Sequence, residues 1–212
     1  MPKADQIVEA RLLEAAQTGD TEAFEVLQLL LEQPVRRFIR RLIGLSDAED
    51  DIVQDAFLAL YLNLDRIRSG DKLRPFLFRV VRNRSYDELR ALGRFQHVPL
   101  EPDSSYPDGG GVIPDDGLPP DEVTHWRLVY AEVQAAIENL PEQQRQTLIL
   151  YGEEHLAYAE IAEVMNTSVG TVKSRLFHAR QTLRRMLRPE ILQTLGIERA
   201  WAIPEPVLVT EP

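Results

Sequence analysis

The sequence predicts an all-α protein: two small helical domains joined by a Pro/Gly-rich acidic linker, the second containing a helix-turn-helix. Three observations carry this. Apolar residues recur at steps of three and four, the period of a helix face, and no useful length alternates as a half-buried strand would. Residues 93–122, GRFQHVPLEPDSSYPDGGGVIPDDGLPPDE, break every period with repeated prolines and the triplet Gly109–Gly111. Proline removes backbone donors and glycine adds chain entropy, so a linker is expected there. Finally, LAYAEIAEVMNTSVGTVKSRLFHAR reads as two helices around one tight turn. The expected division is 1–92, a linker 93–122, a second domain 123–188 and a tail 189–212.

In the first half, Gly19 is expected to end an opening helix. A second helix is expected over about Thr21–Glu32, with Pro34 opening a third near its first turn. Ser46 and Glu49 have capping-box spacing, which accounts for the acids of DAEDD without a metal. The helix that follows has Ile52, Val53, Ala56, Phe57, Leu60 and Leu64 on one side. Asp51, Gln54, Asp55, Leu58 and Leu62 lie opposite. Leucines four apart on a polar back face suggest a docking surface. Residues from about Arg74 to Leu92 form the next helix, with Leu77, Val80, Val81 and Leu92 on one side. Arg79, Arg82, Asn83, Tyr86 and Arg90 point the other way. Guanidinium groups hold phosphates, an amide can read a base edge, and rings stack on unpaired bases, so this face suits nucleic acid. Of the two rings near its start, Phe78 is expected in the core more than Phe76.

In the second half, Leu156–Met165 is expected as one helix with Tyr158, Ile161, Ala162 and Met165 inward. Asn166 suits a left-handed helix stop, and Ser168 suits the next N-cap. Val172, Leu176, Ala179, Leu183, Met186 and Leu187 then form an apolar stripe. Ser174, Phe177, His178 and Gln181 lie opposite, flanked by Lys173, Arg175 and Arg180. A polar-basic second helix after a tight turn is built to enter a major groove, where Phe177 would meet a thymine methyl.

Charge supports the same division. The formal net charge is −10, yet residues 164–189 hold six bases and no acid, and residues 66–95 hold nine bases against three acids. Overall acidity opposes indiscriminate polyanion binding, while the two basic islands can still grip phosphates. There is no cysteine, which excludes disulfides, thiolate metal sites and cysteine nucleophiles and suits a reducing compartment. No apolar run approaches the roughly 18 residues of a membrane span, so no membrane insertion is expected. The acidic, charge-interrupted start does not read as a signal peptide. His97, His125, His155 and His178 are scattered, with no paired carboxylate, metal spacing or nucleophile motif beside them. Neither a catalytic centre, a metal nor a cofactor is therefore expected.

LPEQQRQTLILYGEEHLAYAEIAEVMNTSVGTVKSRLFHARQTLRRML resembles region four of bacterial RNA polymerase sigma factors of the extracytoplasmic-function (ECF) type, in the sigma-70 family. DAEDDIVQDAFLALYLNLDRI and LRPFLFRVVRNRSYDELR resemble region two of the same family. The resemblance covers about residues 10–188, and the LP..QR start, Y.EIA and VGTVKSRL…AR are specific in combination. It implies a cytoplasmic, non-enzymatic, dissociable specificity subunit for transcription initiation. Implied partners are core RNA polymerase, promoter DNA in duplex and single-stranded form, and an anti-sigma factor.

Carried residue by residue, the resemblance implies polymerase docking at Asp51, Gln54, Asp55 and Leu58. Minus-ten recognition falls on Ser69, Gly70, Asp71, Lys72, Phe76, Arg79 and Asn83, the Ser69–Lys72 turn matching a loop that pockets a flipped base. Minus-thirty-five recognition falls on Lys173, Ser174, Phe177 and His178, with phosphate support from Arg175 and Arg180. Three departures stand out. Phe76 occupies the family's usual tryptophan position, His155 and Asn166 stand where glycines are usual, and the linker and tail are long. Two other readings stay open on the residues alone: an autonomous helix-turn-helix regulator, and a helical interaction protein without promoter use.

Overall fold

The computed structural model describes residues 4–93 and 120–195, with side chains over 6–93 and 125–195. Most of the expected linker, including the glycine triplet, and the tail beyond 195, including Trp201, lie outside the described residues. The described residues form nine α-helices and no strand: α1 Ala4–Gln17, α2 Thr21–Ile43, α3 Glu49–Leu62, α4 Leu73–Ala91, α5 Pro120–Glu138, α6 Glu142–Gly152, α7 Tyr158–Met165, α8 Val169–Met186 and α9 Pro189–Thr194. Two short 3-10 turns, Leu64–Arg66 and Gly70–Lys72, lead from α3 into α4. Two compact units emerge. One comprises the described parts of Met1–Asp103 with Gln146–Arg175; the other comprises those of Ser104–Arg145 with Leu176–Pro212.

In the first unit, Gly19 takes φ 97°, a conformation that penalises any side chain. It turns the chain out of α1. Asp20 then caps α2, its carboxylate accepting from the Ala23 amide at 3.0 Å. Helix α2 differs from the sequence expectation, because one helix runs through Pro34 where two were expected. Interior proline forfeits a hydrogen bond and costs about 3 kcal/mol. Leu27, Leu31, Val35, Phe38, Ile39 and Leu42 are all buried along one continuous stripe. Burying each such side chain stabilises by roughly 1.5–3 kcal/mol, so the summed packing outweighs the local penalty. Phe38 meets Phe78 of α4 edge-on, with ring centroids 5.3 Å apart, at the centre of this core.

The start of α3 also departs from expectation. The Ser46 hydroxyl accepts from the Ala48 amide at 3.3 Å, and Glu49 does not reach back to close a capping box. Glu49 is instead buried and bound by two arginines of α2: Arg40 at 2.7 and 2.9 Å and Arg36 at 3.0 Å. Burial pushes the Glu49 carboxyl up, but hydrogen bonds from Arg40 and Arg36 outweigh it and hold the group below the ordinary carboxylate range. A carboxyl whose folded pKa is depressed contributes stability that is present above its unfolded pKa, about 4.3, and lost as pH falls through the folded value. Glu49→Gln should therefore lower the urea midpoint at neutral pH, a shift that corresponds to a stability loss of about 1 kcal/mol or more. The difference from wild type should vanish in acid. Parallel midpoints at every pH would contradict this role.

Ile52, Val53, Ala56, Phe57, Leu60 and Leu64 are buried, as their spacing requires. On α4 the expected inward Leu92 is exposed. It caps the helix end, beyond the reach of the core. Tyr86 departs the other way. It was expected outward but is buried, and its hydroxyl accepts from Gln146 Nε2 at 2.6 Å. Its ring lies beneath Arg82, 4.7 Å from the guanidinium carbon.

Glu154, on the turn between α6 and α7, is 1% exposed and faces Arg37 at 3.0 Å and Arg74 at 3.7 Å. Burial pushes its carboxyl up against the pull of these arginines. The turn closes with His155 at φ 56°. In the second unit Val129, Ala136, Leu140, Leu176, Ala179, Leu183 and Leu187 are buried. Arg188 ties to Glu132 of α5 at 2.5 and 2.9 Å. Met186, expected on the apolar stripe, is exposed, lying at the last position of α8. Helix α9 adds buried Ile191 and Leu192, within the stretch expected as tail.

Candidate nucleic-acid interface

Three faces present the residues singled out from sequence. The first belongs to the α7–α8 pair. Asn166 ends α7 in the left-handed region, at φ 49° and ψ 56°. Asparagine tolerates this conformation better than most side chains do. Ser168 then caps α8, its hydroxyl accepting from the Thr171 amide at 3.1 Å. Val172, Leu176 and Ala179 turn inward. That rotation leaves Lys173, Ser174 and His178 exposed, with Phe177 partly so. The Phe177 and His178 rings meet edge-on, centroids 5.2 Å apart. Arg175 and Arg180 are half-buried on the flanks, and Arg175 Nη1 has no hydrogen-bond partner among the described residues. An exposed ammonium, hydroxyl, imidazole and ring within two turns give this face donors for phosphates and base edges plus an apolar contact.

The second face begins at the 3-10 turn Gly70–Lys72 and continues along α4. Arg68, Ser69, Asp71 and Lys72 are exposed. The Ser69 hydroxyl donates to the Asp71 carboxylate. Lys72 pairs with Glu163 of α7, whose hydrogen bond holds the ammonium above its ordinary pKa. Phe76, Arg79 and Asn83 follow at steps of three and four on one side. Arg79 and Asn83 are exposed, Phe76 partly so, and the Arg79 guanidinium carbon lies 5.8 Å from the centre of the Phe76 ring. Phe78, two residues on from Phe76, is wholly buried. Arg82 is drawn away from this face, donating to Gln146 Oε1 at 3.1 Å.

The third face is the back of α3. Asp51 and Gln54 are exposed and Asp55 is half-exposed, pairing with Arg84 at 3.3 Å. Leu58 is 53% exposed and Leu62 70%, with Tyr61 between them. Carboxylates beside uncovered leucines provide an anchor in an acidic rim, the composition of a protein-docking patch more than of a phosphate site.

Residues of α1 also shape the second face, and the sequence reading missed them. Glu9 holds Arg74 through two hydrogen bonds, at 2.7 and 2.9 Å. Gln17 reaches the backbone of the segment between α3 and α4. No local motif marks these residues, because their partners lie about fifty residues or more away.

Comparison with known proteins agrees with the helical pattern. Residues 30–95 match the family described as Sigma-70 region 2, and residues 130–183 match Sigma-70, region 4. An "ECF RNA polymerase sigma-E factor" of Haemophilus influenzae is 31% identical over 189 residues, covering 88% of this chain and 98% of that protein. An "RNA polymerase sigma-H factor" of Pseudomonas aeruginosa is 32% identical over 183 residues, covering 84% and 93%. Among solved structures, the sigma factor RpoE bound to the anti-sigma factor NepR, from Bartonella quintana, superposes with a TM-score of 0.54 at 25% identity, covering 83% of this chain and 98% of that one. CnrH in complex with the cytosolic domain of CnrY gives the same TM-score at 23% identity, a likeness of fold.

Proposed function

Because the chain belongs to the ECF-type sigma factors of RNA polymerase, we propose that it is the promoter-specificity subunit that brings core polymerase to its start sites and opens the DNA there. In this reading α8 enters the major groove of the minus-thirty-five element. Lys173 and Arg180 meet phosphates, Ser174 and His178 meet base edges, and Phe177 packs on a thymine methyl. Arg175 supports the phosphate contacts from the flank. The Ser69–Lys72 turn and Phe76, Arg79 and Asn83 take the unpaired strand of the minus-ten element, cations on the backbone and the ring against a base. Phenylalanine offers a smaller stacking surface than tryptophan, so melting leans more on the cations.

Asp51, Gln54, Asp55 and Leu58 dock on core polymerase, which supplies all the catalysis. The chain itself contributes no catalytic residue, metal or cofactor. It acts in the cytoplasm, where transcription takes place. No described helix is long and apolar enough to cross a membrane. The solved relative bound to an anti-sigma factor makes such an inhibitor the expected regulatory partner.

The observation that carries this reading is the exposure of Lys173, Ser174 and His178 on the helix after a tight left-handed turn, in a chain of net charge −10. Acidity elsewhere makes the chain a poor free DNA binder. Run-off transcription on a genomic promoter library tests it. Core polymerase with the chain should produce discrete start sites that core alone does not. A folded chain that fails to bind core polymerase would overturn the proposal.

A further inference from the structure

Helix α1 carries none of the residues assigned to DNA or polymerase, yet it grips the chain at three places, two in the segment between α3 and α4 and one in the first turn of α4. At one end, the Gln17 side-chain amide donates to two carbonyls at once, Leu64 at 2.7 Å and Ile67 at 2.8 Å. These carbonyls belong to the backbone that turns the chain from α3 into the exposed stretch Arg68–Lys72. At the other end, Glu9, 4% exposed, holds Arg74 by a bidentate pair at 2.7 and 2.9 Å. Between them the backbone of Gly70 lies directly on Ala10. A β-carbon at residue 70 would stand 2.4 Å from the Ala10 β-carbon and 2.9 Å from its α-carbon. Only glycine permits that approach.

We infer that α1 is a splint for the base-capturing turn, with Gln17 and Glu9 as positioning residues that set where Ser69, Asp71 and Lys72 point. The inference rests on the reading of that turn as a single-strand site. The physical case is one of pre-organisation. An exposed five-residue stretch would otherwise sample many conformations, and ordering it on binding costs roughly 1–2 kcal/mol per residue of backbone. Anchoring both ends and the middle on a rigid helix removes much of that cost before DNA arrives. Base discrimination needs polar groups held to within a fraction of an ångström, so loss of the splint should affect selectivity more than attraction. Phosphate contacts depend on charge, which the splint does not alter.

The test uses the full chain assembled with core polymerase. Its binding is measured to single-stranded minus-ten oligonucleotides carrying each of the four bases at each position. Gln17→Glu keeps size and removes the donor, placing a carboxylate against two carbonyls. Gln17→Lys restores a donor of similar reach. The expected result is that wild type discriminates at the captured position by roughly tenfold. Gln17→Glu should bring that ratio near one while leaving the base ratios at the other positions unchanged, and Gln17→Lys should recover it. Undiminished selectivity in folded Gln17→Glu would overturn the inference, as would an equal loss at every position, which is the signature of general loosening. Absence of any base preference in the wild type would instead defeat the underlying reading of the turn.

Discussion

Leu58→Asp should weaken binding to core polymerase about thirtyfold, an interface hot-spot loss near 2 kcal/mol, while leaving the helix content and thermal midpoint close to wild type. Leu58 is 53% exposed, so the folded chain gains little from its burial. The inward side of α3 is untouched by the change, since Ile52, Val53, Ala56, Phe57 and Leu60 hold the helix on the core. Aspartate in a helix interior costs at most about 0.7 kcal/mol in propensity. In the complex the same position would bury a carboxylate where a methyl-rich side chain had fitted, which is expensive without a counter-charge. Competition for core polymerase against the unmodified chain reads the difference. Equal competition would show that the back of α3 is not the docking surface.

Lys173→Glu should reduce transcription from promoters that depend on the upstream element about tenfold. The slope of log affinity against log salt should fall by about one contact. Lys173 is exposed near the start of α8, beside buried Val172. Glutamate is a good helix former and suits the N-terminal half of a helix, so the fold should persist. The loss would therefore come from a carboxylate facing phosphate. Promoters that lack an upstream element serve as the control and should respond weakly. A uniform loss across both promoter classes would point to folding, and no loss would remove α8 from the groove.

Most of the architecture was legible because apolar spacing alone determines which side of a helix meets a core. The inward set of α3, that of α7 apart from half-buried Tyr158, and the left-handed stop at Asn166 follow from periodicity and backbone preference. Pro34 departs from the local rule because the long buried stripe of α2 outweighs the proline penalty. Ser46 and Glu49 have the spacing of a capping box. Two arginines one helix away offer Glu49 a stronger partner than a backbone amide does. Tyr86 was placed outward by helical angle, but its partner Gln146 lies sixty residues on, beyond any window of sequence. The grip of α1 on the 64–74 segment was invisible for the same reason. The exposed faces of α3, α4 and α8 were easier to find, since charge that is excluded from a core must lie where the stripe is not.

If the faces of α4 and α8 engage one promoter while core polymerase carries the chain, the DNA should open only when both proteins are present. Permanganate reactivity of promoter thymines reads that opening, comparing core polymerase alone, the chain alone and the two together. A patch of reactive, unpaired thymines is expected just upstream of the start site only when both are present, and it should be lost when Arg79 and Asn83 are replaced by alanine. Tight binding of the chain alone to duplex DNA, with no unpaired thymines on adding core polymerase, would contradict it.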